Sequence, residues 1–211
     1  MTSQARFVEP PRFATWLVNL FTVPQDDSIV GDLFEEFRNL ASRSGVGFAR
    51  RWYWRQAVKT AASLFTMGLL AAPWSTAAAV LGGFVLAGYV NGLPDKALSV
   101  ATDRYLMYWS SHFQAYLWLL RGMLIGHIIA SLFVGSMVAL AAKGREVVAT
   151  MTLALIFCAM AGIGCLWLVA KTGEIASLSR LLWYLADPLA IVVGGIMVRT
   201  RRSPMTAGRS A

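Results

Sequence analysis

From Ala61 to the Arg-rich end, apolar runs about as long as a bilayer is thick dominate this chain. A hydrocarbon core of about 30 Å is crossed by roughly 20 apolar residues of helix, which pairs every backbone polar group within itself. The run from Ala61 to Leu93 would reach about 48 Å as one helix, too long for a single crossing. Pro73 divides it. The first span is therefore assigned to Trp74 through about Gly92, with Ala61–Ala72 continuing the preceding helix. Further spans are expected at about Leu119–Ala142, Val147–Ala170 and Leu181–Val198. Composition agrees, since 57% of residues are hydrophobic and 14% charged, where a soluble domain carries about 25% charged. The expected fold class is all-α, an integral membrane four-helix bundle at 73–202. A small cytoplasmic three-helix module precedes it at 1–72, and a disordered tail follows at 203–211.

Charge orients the chain. Its formal net charge is +8, and the basic residues cluster beside the apolar runs, which the positive-inside rule explains without nucleic acid. No base-reading or stacking motif argues otherwise. With four spans, the N-terminal segment, the loop Lys143-Gly144-Arg145-Glu146 and the tail with Arg199, Arg201 and Arg202 fall on one side. Both termini are thus expected in the cytoplasm. Gly92-Leu93-Pro94-Asp95 reads as a turn. The stretch of about 98–118, which mixes charge with Tyr105, Trp109, Phe113 and Tyr116, reads as a helix lying in the far interface. Cys158 and Cys165 lie seven apart in an apolar run, neither a metal nor a redox spacing. Residues 13–20 are too short an apolar run, with Asn19 inside it, for a signal peptide.

The first 60 residues are polar enough for water. Phe13, Trp16, Leu17, Leu20 and Phe21 form the stripe of an amphipathic helix between Pro11 and Pro24. Asp26-Asp27-Ser28 offers the N-cap of a second helix, with apolar Ile29, Leu33, Phe37 and Leu40, an acidic face of Asp32, Glu35 and Glu36, and closing glycines Gly45 and Gly47. A third helix is expected from near Phe48 to about Leu70. It carries Arg50, Arg51, Trp52, Trp54, Arg55 and Lys59, basic residues interleaved with aromatics as a headgroup interface selects. Arg51, Arg55 and Lys59 recur every four residues and could meet lipid phosphates, a partner, or the acidic face. Trp16, Leu20, Leu33, Phe37 and Trp52 are expected to meet in one small core.

Three blocks carry a resemblance: residues 10–17 (PPRFATWL), 31–37 (GDLFEEF) and 51–56 (RWYWRQ). In order and spacing they are similar to the permease prefix domain, the N-terminal module of FtsX-like ABC permeases of some bacteria, acidobacteria among them. The resemblance covers about residues 1–60. It implies a bacterial inner-membrane protein with a cytoplasmic N-terminal module. It transfers neither permease activity nor any site residue, since this chain has no room for the permease's periplasmic domain and membrane bundle.

Within the apolar runs, three ionisable residues stand out: Arg121, His127 and Asp187. Counted from the cytoplasmic ends, Asp187 lies about 18 Å deep, His127 about 24 Å and Arg121 about 33 Å. A mid-membrane carboxylate must find a partner or hold its proton. The depths point to a His127–Asp187 or Ser131–Asp187 contact between the second and fourth spans. Gly122, Gly126 and Ala130 form a small-residue stripe suited to close helix packing or dimerisation, and Gly82-Gly83 and Gly194-Gly195 suggest similar approaches. No zincin, nucleophile-elbow or P-loop motif is present, so neither an enzyme nor a cofactor is expected. The leading expectation is a non-catalytic accessory or regulatory membrane protein. Its module would bind a protein partner, such as a permease or a second copy. The alternative is a small oligomeric transporter or channel using Asp187 and His127.

Overall fold

The computed structural model describes residues 9–22, 28–101, 113–172 and 178–207. Eight helices run through the described residues, with no strand among them: α1 (Arg12–Phe21), α2 (Ser28–Ser44), α3 (Val46–Ala71), α4 (Pro73–Val90), α5 (Gly92–Ala101), α6 (Phe113–Ala141), α7 (Glu146–Thr172) and α8 (Leu178–Ala207). They fall into two compact units, 1–71 and 72–211. The Asp26-Asp27 cap, the middle of the expected interfacial helix at 102–112 and residues 173–177 lie outside the described residues.

In the first unit, α1 and α2 both pack on α3. Ala49, Tyr53, Ala57 and Ala61 recur every fourth residue and give α3 one buried stripe. Tyr53 is the centre of the core, fully buried, with the Phe37 ring edge-on at 5.5 Å. Its hydroxyl reaches Thr15 Oγ1 at 2.9 Å. A buried phenol needs such a partner, and this contact turns α1 so that Ala14 and Val18 face α3. The expected stripe is therefore corrected. Leu20 and Phe37 are buried, but Phe13 and Trp16 are 76% and 50% exposed, while Leu33 and Trp52 are half-buried against the core. Gly45, at φ +85°, turns the chain directly into α3 at Val46, so Gly47 lies inside a helix.

The second unit packs α6 against α8 and α7, with α4 across them. Its core is built of small and medium residues, among them Ala79, Ala87, Val134, Val138, Ala149, Leu153 and Ile191. Large apolar side chains such as Leu81, Ile129, Phe133, Leu155, Ile163, Leu166 and Leu189 face outward. An apolar exterior around a small-residue interior suits a lipid solvent, where close backbone approach holds helices together. Gly135 abuts the Ile191 carbonyl, Gly194 the Leu132 carbonyl, Gly195 the Thr150 side chain and Gly83 the Val138 side chain. Of the expected stripe, Gly126 meets Pro94 and Ala130 is buried, but Gly122 faces open space.

Among the described residues, three helical stretches are long and apolar enough to cross a membrane: Pro73–Ala101, Arg121–Ala141 and Glu146–Lys171. The expected turn at Gly92–Asp95 is instead helical. Asn91 keeps helical angles (φ −70°, ψ −21°), and Pro94 falls in the first turn of α5, where its missing N–H costs nothing. α8 also runs on to Ala207, so residues 203–207 are helical where a disordered tail is expected.

Candidate functional site

A polar chain crosses the second unit from α4 to α8. Asn91 Nδ2 donates to Ser131 Oγ at 3.3 Å, and Ser131 Oγ donates to Asp187 Oδ1 at 2.9 Å. His127, one turn before Ser131 on α6, lies between two carboxylates. Its Nε2 is 3.1 Å from Asp95 Oδ1 on α5, and its Nδ1 is 3.8 Å from Asp187 Oδ2. The first distance is a hydrogen bond and the second an electrostatic contact. Ser131 is fully buried. Exposure then rises along the chain, with side chains 15% exposed at His127, 27% at Asp187 and 55% at Asp95.

Helix geometry assembles this group. His127 and Ser131 are four residues apart and share a face of α6. Asn91 closes α4 where the helix is interrupted before Pro94, which frees its side chain to turn towards Ser131. Pro188 is buried beside Asp187. Asp187 is satisfied on Oδ1 by Ser131, while its Oδ2 faces the imidazole of His127. The imidazole thus links α5, α6 and α8 through one hydrogen bond and one electrostatic contact. Among the described residues, no group of three or more His, Cys, Asp or Glu side chains is placed to hold a metal ion.

The depth count placed Ser131 level with Asp187, and the two meet. Arg121 does not join them; it is exposed and stacks on the Trp118 ring at 5.2 Å. Asn91 and Asp95 are the members that sequence reasoning missed: Asn91 falls at the expected end of the first span, and the segment of Asp95 reads as a turn rather than as the start of a helix.

At the other end of the same unit lies a second polar group. Glu146 Oε1 accepts the Gly144 N–H at 3.1 Å and Arg202 Nη1 at 2.8 Å. Burial pushes the Arg199 guanidinium below its ordinary value, and the Glu146 carboxylate opposes that shift. The partners are 56 residues apart, and only the basic character of the two ends was legible.

In the first unit Arg50, Arg51, Trp54, Arg55 and Lys59 are exposed and Trp52 is half-buried. Asp32, Glu35 and Glu36 are exposed as well, and no ion pair among the described residues joins them to that basic stripe. Beside Trp16 runs a groove of about 310 Å³, lined by Glu9, Arg12, Thr15, Asn19 and Phe34.

The chain matches no family model, no curated protein and no solved structure.

Proposed function

We propose that this protein is a non-catalytic accessory or regulatory subunit of the bacterial cytoplasmic membrane. Its N-terminal helices form a permease-prefix-type module that binds a protein partner, a permease being the favoured class. The carrying observation is that the first unit has a core of its own yet leaves Phe13 largely exposed and Trp16 half-exposed, the latter on the wall of a groove rimmed by Glu9 and Arg12. Exposed aromatics next to a groove with a polar rim are what an interface anchor looks like before its partner arrives. In this reading α8 is a fourth span beside the three apolar stretches, and both termini lie in the cytoplasm with Lys143, Arg145 and the Arg-rich end. The exposed stripe Arg51, Arg55 and Lys59 rests on anionic lipid. A photo-crosslinking residue placed at Phe13 or Trp16 in cells should give one dominant protein adduct. Adducts to lipid alone, or none, would count against the reading.

A second reading is favoured by one observation, the imidazole of His127 set between two carboxylates. In it, an oligomer moves protons or a proton-coupled solute through Asp187. Flux in proteoliposomes that Asp187→Asn abolishes supports it; equal flux from both proteins rules it out.

A further inference from the structure

A cavity of about 410 Å³ opens where the first turn of α4 meets the loop between α6 and α7. Ser75, Thr76, Lys143, Gly144 and Arg145 line it. Two of its polar atoms are buried and lack a hydrogen-bond partner among the described residues: Thr76 Oγ1 and Arg145 Nη1. Thr76 is only 3% exposed. Helical threonines usually satisfy their hydroxyl on a carbonyl one turn back, as Thr66, Thr150 and Thr152 do here. Thr76 does not. A buried guanidinium nitrogen without an acceptor is costlier still.

The charged side chains that line the cavity are all positive. Lys143 and Arg145 supply two positive charges, and the N-terminus of α4 adds the positive end of an 18-residue helix. Its N-cap is Ala72, which has no side chain to cap the first-turn N–H groups. Opposing this are the carbonyls closing α6 and the Glu146 carboxylate. The Ala142 carbonyl accepts the Arg145 N–H at 2.8 Å. Glu146 is held by Gly144 N–H and Arg202. The Ala142 carbonyl and Glu146 Oε1 are engaged, whereas Thr76 Oγ1 and Arg145 Nη1 are not.

We propose that this cavity is a phosphate-binding site, in which Arg145 and Lys143 neutralise the charge and the Thr76 hydroxyl donates to a phosphate oxygen. A phosphate suits donors converging from several directions, because it offers oxygens on all sides and pairs well with guanidinium. Two sources supply the same group: an anionic lipid headgroup, since the cavity lies where apolar helices end, or a soluble phosphate compound. The inference rests on residues of the second unit alone and is independent of any partner of the first.

The test uses the whole protein in detergent, with melting followed by tryptophan fluorescence. One arm adds sodium phosphate against sodium chloride at equal ionic strength. The other adds dioleoyl phosphatidic acid against dioleoylglycerol, which shares its chains and lacks the phosphate. At least one arm is expected to raise Tm by about 3 °C or more, and the arm that responds names the source. Arg145→Gln removes the shift. Thr76→Val, nearly equal in volume, raises Tm without ligand because it deletes a buried hydroxyl that lacks a partner, and it reduces the ligand-induced rise. That opposite pair of effects keeps the test decisive even if Arg145→Gln does not fold. No shift in either arm, or a shift that survives both substitutions unchanged, overturns the proposal.

Discussion

Replacing Ser131 by alanine is the sharpest probe of the polar chain. The side chain is fully buried, and the change removes one oxygen with almost no change of volume, so cavity and strain terms are small. What is lost is a donor to the Asp187 carboxylate at 2.9 Å and an acceptor for Asn91 at 3.3 Å. In water-soluble proteins a hydrogen bond to a charged group contributes about 1.5–3 kcal/mol. Between membrane helices measured values average about 0.6 and reach about 1.7 kcal/mol, because the unfolded chain in lipid also finds partners. Two bonds, one of them to a carboxylate, then give a loss of about 1–3 kcal/mol, a factor of roughly 5 to 150 in the unfolding equilibrium. Reversible unfolding in mixed micelles, read by tryptophan fluorescence, resolves that range. Ser136→Ala is the control: its hydroxyl bonds mainly to the Leu132 carbonyl of its own helix at 2.8 Å, so it should cost less. Combined with Asp187→Asn in a double-mutant cycle, Ser131→Ala should show coupling of similar size to its own loss. If Ser131→Ala matches Ser136→Ala within about 0.5 kcal/mol, or the coupling is nil, the reasoning fails.

Tyr53→Phe deletes only the hydroxyl that meets Thr15 and should destabilise the first unit by about 1 kcal/mol, whereas Tyr53→Ala should cost about 3–5 kcal/mol by emptying the core; thermal unfolding followed by circular dichroism compares them. Gly135→Val should disrupt the α6–α8 contact, because any added carbon meets the Ile191 backbone, while Gly122→Val meets nothing and should unfold like the parent; mixed-micelle unfolding separates the two. Reversing Arg51, Arg55 and Lys59 to Glu should weaken binding of an α3 peptide to anionic vesicles, each lost cation counting for about 1 kcal/mol. Unchanged binding in a co-sedimentation assay would remove lipid from the account of this stripe.

How much was legible follows from which physics each feature obeys. The position of α7 was readable because bilayer thickness and the rise per residue convert apolar length into a helix of matching length; Glu146–Thr172 differs by only one or two residues at each end from the expected Val147–Ala170. The same conversion put Ser131 level with Asp187. The face of α1 was not readable, since hydrophobicity favours burying Phe13 and Trp16 while the Tyr53 hydroxyl requires Thr15 and so turns Ala14 and Val18 inward. Small-residue packing was half readable. Gly122 and Gly126 were chosen for their motif, yet the closest approach is at Gly135, on the stripe Ser131, Gly135 and Ala139, which has the same spacing. Asp95 was lost because Gly and Pro in Gly92-Leu93-Pro94-Asp95 read as turn residues, though Pro is tolerated in a first helical turn. Glu146 and Arg202 could not be paired without knowing that the ends of α7 and α8 meet.

The central claim is that the N-terminal unit exists to hold a partner at the membrane. Its most direct test is purification of the full chain from native-level expression in mild detergent, with quantitative mass spectrometry of the eluate. The account predicts one co-purifying protein near equimolar amount, reduced at least about tenfold by Phe13→Ser with Trp16→Ser, as loss of two anchor side chains implies. A single species that elutes alone, with the double variant indistinguishable from the parent, would contradict it.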